Sequence, residues 1–176
     1  PAGHIVKLDS ESLVYEELPK PSAYWSVTNA SQHGAMNKFE ADFDEAKSLF
    51  KKCLSKAVSG QLLSDAPLGC FLSGGVDSSL IAALMQEQSM SQVKSFSIGF
   101  DVPEYNEADH AKKVANHLNL DHHELYITEQ DALDVIPRLP SIYCKPFADA
   151  SQIPTYIVSK MSQNHIKVAL SGDGGD

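Results

Sequence analysis

The stretch Ser73-Gly74-Gly75-Val76-Asp77-Ser78-Ser79 has the clearest chemical content in this 176-residue chain. It follows Leu68 to Leu72, a short apolar run suited to a buried parallel strand. It precedes Leu80 to Met85, a segment apolar on every side and read as a buried helix. Two adjacent glycines let the backbone reach φ > 0 and let its N–H groups approach an anion closely. The helix that follows adds its positive end, and Ser73, Ser78 and Ser79 add hydroxyls. Together these parts make a phosphate cradle. It is not a Walker A loop, because no Gly-Lys-Ser/Thr follows the glycines. An aspartate takes the place of the lysine. A carboxylate beside phosphates is repelled unless a cation lies between them, so Asp77 implies Mg²⁺. The bland alternative is a plain strand-to-helix turn with Asp77 as a cap.

A second glycine-rich run, Ser171-Gly172-Asp173-Gly174-Gly175-Asp176, follows the apolar segment Ile166 to Leu170. It offers further backbone donors and two more carboxylates. Taken alone it could equally be a solvated turn. His122 and His123 are adjacent on a predicted strand and so point to opposite faces. They are read as structural residues and not as a metal pair.

The elements that would hold these loops alternate. Beyond Leu68 to Leu72, strands are expected at Val93–Phe100, His122–Ile127 and Ile166–Leu170. A long helix is read from Phe39, with Phe39, Phe43, Ala46, Phe50, Cys53, Leu54 and Ala57 on one face. Further helices are expected from an Asn106 cap to Leu118, with Ala108, Ala111, Val114, Ala115 and Leu118 inward; from Thr128 to an end or kink at Pro137; and from Ser151 to Asn164, with Pro154 in the first turn. Residues 1 to 38 read as a strand or two, then a linker through the polar stretch Ser26 to Asn37. The alternation predicts an α/β fold, a doubly wound and mostly parallel sheet with helices on both faces. In such sheets ligands bind past the carboxyl ends of the strands, at the switch point, and both glycine loops fall at strand ends. If Asp77 and Asp176 share one ion, the strands before their loops must be parallel neighbours.

Composition excludes several classes. The net charge is -9, with no basic stretch beyond Lys51, Lys52 and Lys56, which speaks against nucleic acid as a partner. Three cysteines with no CxxC speak against a disulfide framework or a zinc knuckle. No run approaches a membrane span and no signal peptide opens the chain. A cytoplasmic location without membrane attachment is therefore expected. Both ends read as cut from a longer protein.

The first loop resembles the signature of the ATP-pyrophosphatases (the PP-loop superfamily), which split ATP between its α and β phosphates. With the second loop, the chain resembles the asparagine synthetase family over essentially its whole length, most closely the bacterial B type. Leu68-Gly69-Cys70-Phe71-Leu72, Phe96-Ser97-Ile98-Gly99-Phe100, His122-His123-Glu124-Leu125, Pro146-Phe147-Ala148-Asp149 and Ile153-Pro154-Thr155-Tyr156 are similar to family segments. Pro1-Ala2-Gly3-His4 and Tyr24-Trp25 resemble the piece joining the family's glutaminase domain to its synthetase. The resemblance implies an adenine nucleotide alpha-hydrolase-like fold. It implies a boundary that leaves 1–38 as glutaminase tail and linker, and 39–176 as the first part of the synthetase domain. It implies ATP and Mg²⁺ as cofactors, and aspartate and ammonia from glutamine as partners, in a possible homodimer. A β-aspartyl-AMP intermediate is implied too, with glutamine hydrolysed by a domain outside this chain. Carried over by position, Leu72, Ile98, Ser171 and Gly172 would hold adenosine. Ser73, Gly74, Gly75, Asp77 and Ser78 would cradle pyrophosphate, and Asp77 and Asp176 would bind Mg²⁺. Asp173 would be the catalytic acidic residue that stabilises or deprotonates during ammonia attack. The chain departs from the family at Cys144 and Lys145, where acidic residues are usual. Amidation of a different carboxylate, a sugar or β-lactam precursor, and a non-catalytic nucleotide-binding remnant are the alternatives. A tRNA-modifying relative would need a basic face.

Overall fold

A computed structural model of the chain describes residues 1–8, 19–100, 107–146 and 148–173. Asn106, Phe147, Gly174, Gly175 and Asp176 lie outside the described residues. The chain divides into two units, Pro1–Ser48 and Leu49–Asp176.

In the first unit, β1 (His4–Ile5) pairs antiparallel with β2 (Ser22–Ala23). Gly3 takes φ +67°, and its carbonyl accepts the N–H groups of Tyr24 (2.9 Å) and Trp25 (3.2 Å). The stretch read as a linker is instead helix α1, Val27–Met36. Ser26 caps it, its hydroxyl accepting the Asn29 N–H at 3.4 Å. None of its residues is buried, so it has no apolar stripe by which periodicity could find it.

Helix α2 (Phe43–Gln61) starts four residues later than expected. Asp42 sets the start, since its Oδ1 accepts the Glu45 N–H at 2.9 Å. The face expected to point inward is a correction as well. Phe43 is 80% exposed and Phe50 57%, and Phe39 and Cys53 are exposed too. Leu54 and Val58, further along, are the α2 residues that reach a core. Periodicity identifies residues that share a face but not what covers that face.

In the second unit, β3 (Leu68–Phe71), β4 (Lys94–Phe100), β5 (Asp121–Ile127) and β6 (Val168–Leu170) form one sheet. All neighbours are parallel, in the order β5-β4-β3-β6. The chain moves outward from β3 to β4 and β5, then returns to the other side of β3 as β6. The switch point therefore lies between β3 and β6, and the two glycine loops follow these two strands. The expected α/β architecture and the expected neighbouring of the two strands are both present.

Helices cover both faces. Cys70 and Leu72 point into a core with Ala82, Leu84 and Met85 of α3 (Val76–Glu87) and with Ala111 and Ala115 of α4 (Ala108–Leu118). Phe71, Phe96 and Ile98 face the other way, onto Val158 and Met161 of α7 (Gln152–Ser162). Burying side chains the size of Leu72 or Met85 contributes about 1.5–3 kcal/mol each. Thr128 caps α5 (Glu129–Val135) in a reciprocal box with Asp131. Pro137 then forces the turn Ile136–Arg138 before the short α6 (Leu139–Ile142).

The two histidines lie on opposite faces, as expected. His123 stacks on Phe96 with centroids 5.1 Å apart and lies 4.5 Å from the ring of His165. His122 is held in a buried polar cluster: Ser95 Oγ is 2.8 Å from its Nδ1, Ser97 Oγ 3.2 Å from its Nε2 and Glu124 Oε1 3.6 Å from the same nitrogen. Burial lowers the His122 pKa below its ordinary 6.5, and Glu124 only partly opposes this. The folded state thus favours the neutral ring. Stability from this site is complete above the unfolded pKa and is lost as pH falls through it toward the folded value. Thermal melts from pH 7.5 to 5.5 should show a falling Tm, and His122→Gln should flatten the slope. An unchanged slope in the variant would mean that other groups carry the acid sensitivity.

Candidate functional site

The first loop is held by its own serines. Leu72 continues the β3 ladder, its N–H donating to the Phe96 carbonyl at 2.9 Å. Ser73 N–H then donates to Ser78 Oγ (3.2 Å), the two hydroxyl oxygens lie 2.9 Å apart, and Gly75 N–H donates to Ser73 Oγ (3.3 Å). The Ser79 hydroxyl donates to the Gly75 carbonyl at 2.6 Å, and Ser78 Oγ lies 3.3 Å from the same oxygen. These hydroxyls stitch the turn together. The backbone N–H groups of Val76, Asp77 and Ser78 precede the first helical bond, Ser79 N–H to the Gly75 carbonyl at 3.1 Å, and have no partner within the helix. Helix α3 therefore presents its positive end here.

Gly74 has φ +84°, and a Cβ there would lie 2.7 Å from Ala111 N and 2.8 Å from His110 Cβ. Only glycine lets the loop lean on the first turn of α4. Gly172 joins the two loops. A Cβ at 172 would fall 2.6 Å from Ser78 N and 2.9 Å from the Asp77 carbonyl carbon. The second loop thus lies directly against the start of α3. Within it, Ser171 Oγ donates to Asp173 Oδ2 at 3.0 Å and accepts the Asp173 N–H at 3.3 Å, which closes a tight turn.

A cavity of about 850 Å³ opens where the loops meet. Leu72, Ser73, Gly75, Asp77, Ser78, Ile98, Ser171, Gly172 and Asp173 all line it. Gly74 does not line it and props the loop from behind. Asp176, the other carboxylate expected at the metal, lies outside the described residues. The sequence reading did not single out Phe71, Phe100, Glu107 or Val158 as site residues, and named Pro154 and Thr155 only as family-like. Pro154, Thr155 and Val158 share one face of the first turns of α7, a spacing visible in sequence but without a chemical signature. Cys144 and Lys145 lie elsewhere, on a cavity of about 430 Å³ with Tyr143 and Gln152. The departure from the family pattern at these two positions therefore does not touch the loops.

The larger cavity is acidic. Among the described residues Asp77, Glu107 and Asp173 line it, and no lysine or arginine does. Carboxylate oxygens at an anion-seeking loop suit a hard divalent cation. Among the described residues no group of three or more His, Cys, Asp and Glu side chains could hold a metal by itself. Such an ion would be shared with the oxygens of a bound ligand.

An open parallel sheet with paired glycine loops at its switch point defines an α/β protein with one cleft at its strand ends. The chain belongs to the asparagine synthase family, whose family model matches residues 49–176. It is 43% identical over 127 residues to "Putative asparagine synthetase [glutamine-hydrolyzing] 2" of Methanocaldococcus jannaschii, covering 72% of this chain and 24% of the relative. It is 34% identical to asparagine synthetase B [glutamine-hydrolyzing] of Escherichia coli, covering 92% of this chain and 32% of the relative. The chain thus spans from a quarter to a third of the length of these curated relatives. A structure of NMN synthetase from Francisella tularensis is similar with a TM-score of 0.49 and 14% identity, over 69% of this chain and 52% of that one. No helix among the described residues is long and apolar enough to cross a membrane.

Proposed function

We propose that this chain forms the ATP-cleaving part of a glutamine-dependent asparagine synthetase. The observation that carries the reading is the contact of Gly172 with Asp77 and Ser78, which makes one cleft of two glycine loops. The names of the relatives give asparagine as what they synthesise and glutamine as what they hydrolyse; aspartate as the acceptor belongs to this proposal. ATP, aspartate, glutamine and water would yield asparagine, AMP, pyrophosphate and glutamate.

In this reading a β-carboxylate oxygen of aspartate attacks the α-phosphorus of ATP. The bond to the bridging oxygen breaks, and pyrophosphate leaves with that electron pair. The backbone N–H groups at the start of α3 lie where the departing charge develops, and they need no reorganisation to meet it. Leu72 and Ile98 flank the nucleoside, Ser171 and Gly172 close over it, and Ser73 to Ser78 hold the phosphates. Asp77, with Asp176, would hold Mg²⁺, which supplies charge neutralisation on the phosphate oxygens. Ammonia then attacks the acyl carbon of β-aspartyl-AMP, AMP departs, and Asp173 takes a proton from the attacking nitrogen.

Exchange of labelled pyrophosphate into ATP by the full-length enzyme tests this directly. Exchange should require Mg²⁺ and rise strongly with aspartate. Exchange that ignores aspartate and responds to another carboxylic acid would remove the asparagine assignment and keep the nucleotide chemistry. Absence of exchange under every acceptor would remove both.

A further inference from the structure

Outside the two glycine loops, the cavity wall has two polar side chains, Glu107 and Thr155. Thr155 shares its helix face with Pro154 and Val158, in the apolar part of the wall. Glu107 stands differently. It occupies the N-cap position of α4 with helical backbone angles, φ −85° and ψ −7°, and its side chain makes no capping hydrogen bond. Its carbonyl accepts the N–H groups of His110 and Ala111, both at 3.0 Å. Those two residues are the ones on which Gly74 leans. The Glu107 backbone is thus fixed beside the first loop, and its carboxylate is not used to close the helix. None of the ion pairs among the described residues includes it.

A carboxylate only accepts hydrogen bonds. The phosphate groups of a nucleotide repel it, whereas ribose hydroxyls donate to it. The cavity also separates these parts in space. In the reading above the first loop is the phosphate end, and Phe71, Ile98, Phe100 and Val158 line the cavity as an apolar surface suited to the base. Glu107 lines the same cavity, and its own turn rests on the first loop at Gly74, which puts it at the border of the phosphate end. Ribose, which joins base to phosphates, belongs at the same border. Dinucleotide-binding α/β sheets use an acidic residue on a ribose hydroxyl in the same chemical way.

We propose that Glu107 is a specificity-determining residue that accepts hydrogen bonds from the ribose hydroxyls and so selects ribonucleotides. This rests on the nucleotide reading of the cleft. The test compares ATP with 2′,3′-dideoxy-ATP in pyrophosphate exchange by the full-length enzyme, for the parent, Glu107→Gln and Glu107→Ala. The parent should favour ATP by about ten- to a hundred-fold in kcat/KM, the range for a hydrogen bond to a charged group. Glu107→Ala should lose most of that factor with ATP and stay within about twofold with the dideoxynucleotide, so the ratio approaches one. Glu107→Gln should fall between them. Equal losses on both nucleotides would assign Glu107 to the helix end or to the metal and overturn the proposal. An unchanged ratio would overturn it as well. Absence of exchange with any nucleotide in the parent would sink the nucleotide reading itself, an outcome separate from either of these.

Discussion

Asp77→Asn should lower aspartate-dependent pyrophosphate exchange by about a thousand-fold or more and leave the melting temperature within a degree or two. The activity loss is large because the substitution removes charge where charge is needed. Among the described residues that line the cavity with Asp77 there is no lysine or arginine. In the reading above, Asp77 helps to hold the ion that neutralises the nucleotide's phosphates. Losing one preorganised electrostatic partner of a transition state typically costs 10²–10³ in rate, and losing a metal ligand adds to that. Stability is spared because Asn has nearly the same shape. Asp77 is the second residue of α3, and a residue there acts on the helix mainly through its exposed dipole, an effect of about 0.3–1 kcal/mol. Exchange kinetics and a thermal melt on the same sample check both halves. A fully active Asp77→Asn enzyme removes the metal role assigned to this residue.

Gly172→Ala should be the next most damaging change, for a steric reason. The new methyl would fall 2.6 Å from Ser78 N and 2.9 Å from the Asp77 carbonyl carbon. Both are backbone atoms, fixed by the first turn of α3, so neither can yield as the tip of a side chain can. The loops must part, and the methyl would cover an N–H that the reading assigns to pyrophosphate. Forcing extra volume into a packed contact costs about 1–3 kcal/mol, and a misplacement of about 1 Å in a catalytic site costs about 10²-fold in rate. We therefore expect kcat/KM for ATP to fall about a hundred-fold and Tm to fall by several degrees. Gly60→Ala is the control, since nothing lies within 4 Å of its missing Cβ. If Gly172→Ala matches that control in activity, the two loops do not form one working cleft.

The loops were legible in the sequence because their chemistry is local. A Gly-Gly turn, an aspartate and three serines between a buried strand and a buried helix have few other uses. The sheet was legible because β3 and β6 are short apolar runs that lead into glycine turns and β4 alternates apolar residues with small ones. What escaped was whatever depends on distant partners. Phe43 and Phe50 lie on one stripe of α2 and were read as core, yet they are exposed. Helix α1 buries nothing and gave no period to detect. Glu107 and Val158 are ordinary residues in sequence, and only the packing of α4 and α7 around the strand ends brings them to the cleft. The serines were legible as site residues, but their hydrogen bonds to one another and to Gly75 are a property of the folded turn.

The central claim is that aspartate is activated by a bond between its β-carboxylate and the α-phosphorus. The most direct measurement uses aspartate labelled with ¹⁸O in that carboxylate, with ATP, Mg²⁺ and glutamine, in the full-length enzyme. When ammonia displaces AMP at the acyl carbon, the bridging oxygen leaves with phosphorus. Mass analysis should therefore find one ¹⁸O atom in each AMP formed. Unlabelled AMP, or ADP as the product, would contradict the account.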